Sequence, residues 1–225
     1  VKSVATIEDF TRQIAEFLLK RDVKALIIAC NTMAAVAADV VRRVAGDVPV
    51  LDVIDAGARA AVAATQSQGI AVIATPTTIN SNAYARAMHQ LNPDVRVYSQ
   101  ACPLFVPLVE EGWLDHPVTL LTAQEYLKSV LVEEVDTLVL GCTHYPLIKP
   151  LLQQVAGDKM NIVDSAVTTA EATARRLGEL GVLNPQRTMP SYQYFVTDIP
   201  LRFQTIGERF LGRSIHKLEM VRLGA

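Results

Sequence analysis

This chain has few cysteines, no long apolar run and almost no net charge, and each shortage excludes something. Three cysteines occur in 225 residues. An odd number with no C-x-x-C spacing argues against a disulfide framework or a zinc knuckle and fits reduced thiols in a cytosolic protein. No apolar stretch approaches the roughly 18 residues expected of a membrane span. The net charge of −2 gives no electrostatic footprint for nucleic acid or for an anionic membrane surface. A metal site is not expected either, because Cys142 and His144 have no third and fourth ligand at suitable spacing.

What is present is core-forming material. Half of the residues are hydrophobic and a fifth are charged, a balance that folds into a globular body of one large or two small domains. Strand-like runs at 25–29, 48–54, 70–74, 95–99, 137–140, 162–163 and 192–196 alternate with helical patterns. The helical stretches are 6–21, 33–44, 56–66, 80–91, 104–111, 122–132, 147–155, 167–178 and 200–210. Such alternation predicts an α/β fold with mainly parallel sheets. The continuous apolar run Ala25–Ala29 predicts a strand buried on both faces.

Two stretches are near-copies. Val23–Thr32 reads VKALIIACNT and Val135–His144 reads VDTLVLGCTH. Each is followed by a helix, a V-A-G-D block and a strand ending in aspartate. Asp52 and Asp164 both lie 22 residues past their cysteine (52 − 30 and 164 − 142). The repeat predicts a duplicated fold with one thiol per half. It also predicts a gap. A counterpart of the strand near Gly69, placed before Cys30 as that strand is placed before Cys142, falls ahead of Val1. The first copy is therefore expected to lack about 40 residues, including its opening strand, an expectation with which a first residue other than methionine agrees.

A thiol at a strand's carboxyl end, just before a helix, stands where open α/β sheets place their ligands. The helix N-terminus offers unpaired N–H groups and favours thiolate. A single free cysteine is more often packing material, but Cys30 and Cys142 form a matched pair followed by Asn31, Thr32, Thr143 and His144. His144 suits an acid, a carboxylate ligand or a modulator of the thiol. The Thr75-Pro-Thr-Thr78 and Asn80-Ser-Asn82 segment suits a carboxylate or phosphate, or simple helix capping by Asn80 or Ser81. Adjacent Glu110 and Glu111 read as solvated surface, Cys102 as packing, and His89, His116 and His216 have no evident partner.

The pair Ala29–Thr32 (ACNT) and Leu140–Leu147 (LGCTHYPL) closely resembles the signature of glutamate racemases, within the cofactor-independent aspartate/glutamate racemase superfamily. Ala101–Gly112, Asp164-Ser-Ala and Phe195-Val-Thr-Asp198 match as well, so the likeness spans essentially the whole chain. The resemblance implies two similar doubly wound α/β domains related by a pseudo-twofold, with the active site in the cleft between them. Residues 1–55 with 165–225 would form the first, incomplete domain, and 56–164 the second. It implies no cofactor, and no lysine stands in a pattern for pyridoxal phosphate. Cys30 and Cys142 would flank the substrate α-carbon as opposed acid and base. Asn31, Thr32, Thr78, Thr143 and His144 would hold the substrate, and Glu110 would support Cys142 with His144, against the surface reading above.

The substrate implied is L- or D-glutamate, made for peptidoglycan in the cytoplasm; nucleic acid and membrane are not expected as partners, and a homodimer is compatible. The family's opening Asp-Ser-Gly and Pro-Tyr-Gly strands are not found in the sequence, so weak or no activity of this form is an expectation. Aspartate racemase is the nearest alternative. A thiol hydrolase would leave the second cysteine unexplained, and a non-enzymatic binding module is the remaining class.

Overall fold

A computed structural model describes residues 2–132, 134–186 and 189–224. The chain runs α1 (Val4–Leu19), β1 (Leu26–Ile28), α2 (Asn31–Ala45), β2 (Val50–Asp52), α3 (Val53–Ala64), β3 (Gly69–Ala74), α4 (Pro76–Asn80), α5 (Ala83–Leu91) and β4 (Arg96–Ala101). It continues through α6 (Phe105–Glu110), α7 (Pro117–Leu127), β5 (Thr137–Gly141), a 3-10 turn (Tyr145–Ile148), α8 (Lys149–Ala156), β6 (Asn161–Asp164), α9 (Ser165–Glu179), β7 (Tyr194–Val196), α10 (Pro200–Leu211) and β8 (Leu218–Met220).

All strand pairs among the described residues are parallel. The main sheet has the order β4-β3-β5-β6, and β1-β2 and β7-β8 form two-stranded sheets. Central strands of a parallel sheet are covered on both faces, and every residue of β3 and β5 is buried. Their side chains alternate between two cores, as the pleat requires. Ile70, Val72, Val139 and Val163 face α3 and α5, in a cluster continuous with Leu26 and Ile28 of β1 and with Ala34, Ala38 and Val41 of α2. Ala71, Ile73, Leu138 and Leu140 face the opposite way, onto Phe105, Val109, Ala123, Leu127 and Leu152.

The repeat seen in the sequence is a repeat of geometry. In each copy a strand ends at a cysteine, helical structure follows and stops at a glycine with positive φ (Gly46 at 56°, Gly157 at 86°), and a second parallel strand delivers an aspartate. That aspartate caps the next helix. Asp52 Oδ1 accepts from the N–H groups of Ile54 (3.0 Å) and Asp55 (2.9 Å), and Asp164 Oδ1 accepts from Ala166 N–H (2.9 Å). A carboxylate there satisfies orphan donors of the first helical turn. The 22-residue spacing is thus the run from the end of one strand, through the helix, to the end of the next strand.

Several local expectations need correction. Val53 and Ile54 begin α3 instead of ending β2, because the Asp52 cap turns the chain at that point. The helix expected over 80–91 begins only at Ala83, after Asn82 at φ 58°, and Asn80 ends a separate short helix, Pro76–Asn80, that was not expected. The helix expected over 122–132 lies at Pro117–Leu127, with proline in its first turn, a position where the missing N–H costs nothing. The strand β8 had no periodic signal to reveal it. Ile27 is 48% exposed although both faces of its strand read as buried. Its outer face lines a cavity of about 660 Å³ with Ala29, Thr143, Ser165 and Phe210. His89 Nε2 lies 3.0 Å from the Val95 carbonyl, and His116 Nδ1 accepts from Val118 N–H at 3.2 Å. No helix among the described residues is long and apolar enough to cross a membrane.

Candidate active site

Cys30 is the N-cap of α2, immediately beyond β1, and its carbonyl accepts the first helical hydrogen bond from Ala34 N–H at 2.9 Å. Its thiol therefore stands at the positive end of a 15-residue helix. Cys142 follows β5 and precedes the 3-10 turn, and is buried at 6% exposure. Gly141 must precede it. A Cβ at that position would lie 2.9 Å from the Ile73 carbonyl oxygen and 3.1 Å from the Tyr84 ring, so only glycine lets the strand end this close to its neighbours.

Burial pushes the Cys142 thiol up to about 11; N–H groups of His144 and Tyr145 and the Thr143 hydroxyl act the other way, and the charge of nearby Cys30 adds to the rise. At neutral pH Cys142 is a thiol. A chain of polar contacts extends from it. Its Sγ lies 3.9 Å from His144 Nδ1, and His144 Nε2 lies 3.1 Å from Glu110 Oε1. Thr143 Oγ1 is 3.3 Å from the same Nδ1. The His144 and Glu110 side chains are 21% and 26% exposed. The rim position of this pair leaves the imidazole in contact with a cleft of about 880 Å³, which α1, β7 and α10 also line. The Phe210 ring meets the imidazole edge-on at 5.4 Å. Glu110 is thus no solvated surface group: α6 carries it to the imidazole.

A second polar group gathers behind Cys30. Thr32 Oγ1 is 2.8 Å from Thr75 Oγ1 and 3.3 Å from Thr78 Oγ1, and Thr75 and Thr78 are 3.1 Å apart. Three hydroxyls from two separate elements form a triangle. Asn31, buried, accepts from the Tyr84 hydroxyl at 2.7 Å. Neither Asn80 nor Ser81 is the N-cap expected of them: Asn80 ends α4, Ser81 is its C-cap, and Asn82 caps α5 without a side-chain bond, although Ser81 Oγ accepts from Ala83 N–H at 3.2 Å. Cys102 is fully buried, and burial raises its thiol further than that of Cys142, in keeping with packing. All three cysteines are free.

Beside the two cysteines, the residues that the resemblance assigned to the site fall into three bonded groups: Thr143, His144 and Glu110; Thr32 and Thr78; and Asn31 with its phenol partner. Two residues that sequence reasoning did not select bond to these groups, Thr75 and Tyr84. Thr75 stood inside a noted segment; Tyr84 reads as a core residue on an amphipathic helix and carried no signal.

The model of the Asp/Glu/Hydantoin racemase family matches residues 2–173. The chain belongs to that family. Among family members, it is 65% identical over 223 residues to the glutamate racemase of Syntrophus aciditrophicus, covering 99% of this chain and 82% of that protein. It is 60% identical, with the same coverage of both, to the glutamate racemase of Neisseria meningitidis serogroup A. Among solved structures, the Francisella tularensis glutamate racemase in complex with D-glutamate superposes with a TM-score of 0.92 at 42% identity, over 99% of this chain and 82% of that one. This racemase-family chain therefore shares the α/β architecture with mainly parallel sheets that the sequence predicted.

Proposed function

We propose that this protein racemises glutamate without a cofactor, using Cys30 and Cys142 as opposed acid and base. The observation that carries the reading is the matched pair of thiols at the ends of two equivalent strands, Cys142 backed by His144 and Glu110. High identity to glutamate racemases along nearly the whole chain supports glutamate over aspartate. The chain is taken to divide into residues 1–55 with 165–225 and residues 56–164, the substrate lying between them, in the cytoplasm. A homodimer belongs to the same proposal.

Racemisation takes a proton from one face of the α-carbon and returns one to the other, so a base is needed on each side. One thiolate removes the α-hydrogen as a proton, leaving its bonding pair as a carbanion delocalised into the α-carboxylate. The opposite thiol gives its proton to the other face and becomes the thiolate. The two sulfurs exchange protonation states, and solvent restores them. Cys142, held protonated by burial, is the ready donor in one direction. In the other it is the base, and the His144–Glu110 pair takes up its proton beforehand. The hydroxyl triangle of Thr32, Thr75 and Thr78, with Asn31 and Thr143, donates hydrogen bonds to the substrate carboxylates. Such bonds strengthen as negative charge grows in the transition state.

The test is incubation with L-glutamate, and separately L-aspartate, in D2O without cofactor, following optical rotation and α-deuteration. Glutamate is expected to lose its rotation while gaining one α-deuterium. Cys30→Ala and Cys142→Ala should each abolish racemisation, and either variant racemising like the parent overturns the two-base reading.

A further inference from the structure

Asn31 has a side chain in an unusual position. It is 2% exposed, its Oδ1 accepts from the Tyr84 hydroxyl at 2.7 Å, and its Nδ2 is the one buried side-chain polar atom without a partner among the described residues. A buried amide donor left unpaired costs about 1–3 kcal/mol. Native structures keep such a group where something else completes it. An amide can turn over, exchanging its oxygen and nitrogen, and the Tyr84 bond decides between the two orientations. With the phenol donating, the atom facing it must be oxygen, and the nitrogen is left for an external acceptor.

Tyr84 is well placed to hold that choice. It is buried at 3% exposure in the first turn of α5, and the burial holds the phenol protonated, against a hydrogen bond with Ser165 that acts the other way. The Ser165 hydroxyl has a single hydrogen, with the Tyr84 oxygen and the Leu140 carbonyl (3.2 Å) as its acceptors, so the phenol's own hydrogen stays with Asn31 Oδ1. Glycines make the room. A Cβ at Gly57 would come 3.2 Å from the Tyr84 hydroxyl oxygen, and one at Gly141 would come 3.1 Å from its ring. The same side chain thus touches the residue after Cys30 and the residue before Cys142.

We infer that Tyr84 is a positioning residue for the racemase reaction, orienting the Asn31 amide so that its N–H donor is presented to a substrate carboxylate oxygen. The inference rests on the glutamate reading above. Tyr84 itself touches no reacting atom, and its effect passes through Asn31.

A mutant cycle tests it, with glutamate turnover measured in both directions and D-glutamate binding followed by calorimetry. Tyr84→Phe keeps the ring and removes only the hydroxyl. It is expected to raise KM and the D-glutamate Kd about tenfold, the order of one net hydrogen bond, and to lower kcat/KM by at least that factor. In an Asn31→Ala background, Tyr84→Phe should have no further effect, since coupled residues are non-additive. An unchanged KM in Tyr84→Phe, or effects that multiply in the double variant, overturns the inference while leaving the glutamate reading intact. A parent that neither turns over nor binds glutamate overturns both. Thermal unfolding checks the fold of each variant. Should Tyr84→Phe unfold, Asn31→Asp decides: it keeps an oxygen for Tyr84 and replaces the donor with a charge that repels a carboxylate. Loss of D-glutamate binding by folded Asn31→Asp supports the inference, and binding like the parent's sinks it.

Discussion

Thr32 Oγ1 and Thr75 Oγ1 lie 2.8 Å apart, although 43 residues separate them in the chain. One hydroxyl belongs to the first turn of α2, behind Cys30, and the other stands at the N-cap of α4, just after β3. With Thr78 they close a triangle joining the first cysteine unit to the main sheet. Each hydroxyl has one donor and two acceptor lone pairs, so the triangle can turn its hydrogens outward when an anion arrives.

Thr75→Val tests this. The volume is conserved and one hydroxyl is lost, which breaks two edges of the triangle. Hydrogen bonds to charged groups contribute about 1.5–3 kcal/mol, so KM for glutamate should rise about tenfold or more. Thr75→Ser should restore it to within about threefold. Steady-state kinetics on both variants checks this, and a Thr75→Val enzyme with parental KM would remove Thr75 from the site.

Glu110→Gln keeps a hydrogen-bonding group beside His144 Nε2 and removes its charge. An imidazolium formed when Cys142 gives up its proton then lacks a counter-ion. Because burial already holds that thiol up at about 11, turnover should fall about 10²-fold, within the usual range for general acid–base groups. The fall in kcat/KM must be equal for both enantiomers, since their equilibrium constant is unity. The asymmetry shows in the α-deuterium isotope effect. That effect should grow for the enantiomer deprotonated by Cys142 and not for the other.

Asp136 offers a prediction away from the site. Burial raises its carboxyl, but hydrogen bonds from Thr65 Oγ1 (2.6 Å), the Ser67 and Gln66 N–H groups (both 2.7 Å) and Thr137 Oγ1 (2.9 Å) outweigh that and bring it to about 2. A depressed folded value means that the native state binds its proton less readily than the unfolded chain. The stabilisation is therefore complete above about pH 4 and lost as pH falls towards 2. Asp136→Asn should cost about 1–2 kcal/mol at pH 7, after allowance for partial exposure, and should flatten the acid limb of stability. Urea denaturation at pH 7, 4 and 2.5 checks both parts. An equal loss at all three values would refute the linkage.

The main-sheet strands and their order of succession were legible because β3 and β5 are buried on both faces and so carry unbroken apolar runs. The cysteine pair was legible because one strand–helix–strand unit occurs twice, and Asp52 and Asp164 keep its length. Boundaries were less so. Asp52 ends β2 by capping α3, an event of hydrogen bonding that hydrophobic pattern does not record. The short β8 pairs with β7 alone and alternates too briefly to be seen.

What the sequence by itself determined is the α/β class, the twin thiols and their polar neighbours, since these are properties of local pattern and residue type. Tertiary structure alone decided that Thr75 completes a triangle with Thr32 and that Tyr84, which reads as core, bonds to Asn31; Glu110, expected beside His144 from the family resemblance and not from its own surface pattern, is brought within 3.1 Å of it across 34 residues. The physical reason is that side-chain hydrogen bonds act over about 3 Å, and only the packing of α6, α4 and α5 on the main sheet brings such distant residues within that reach.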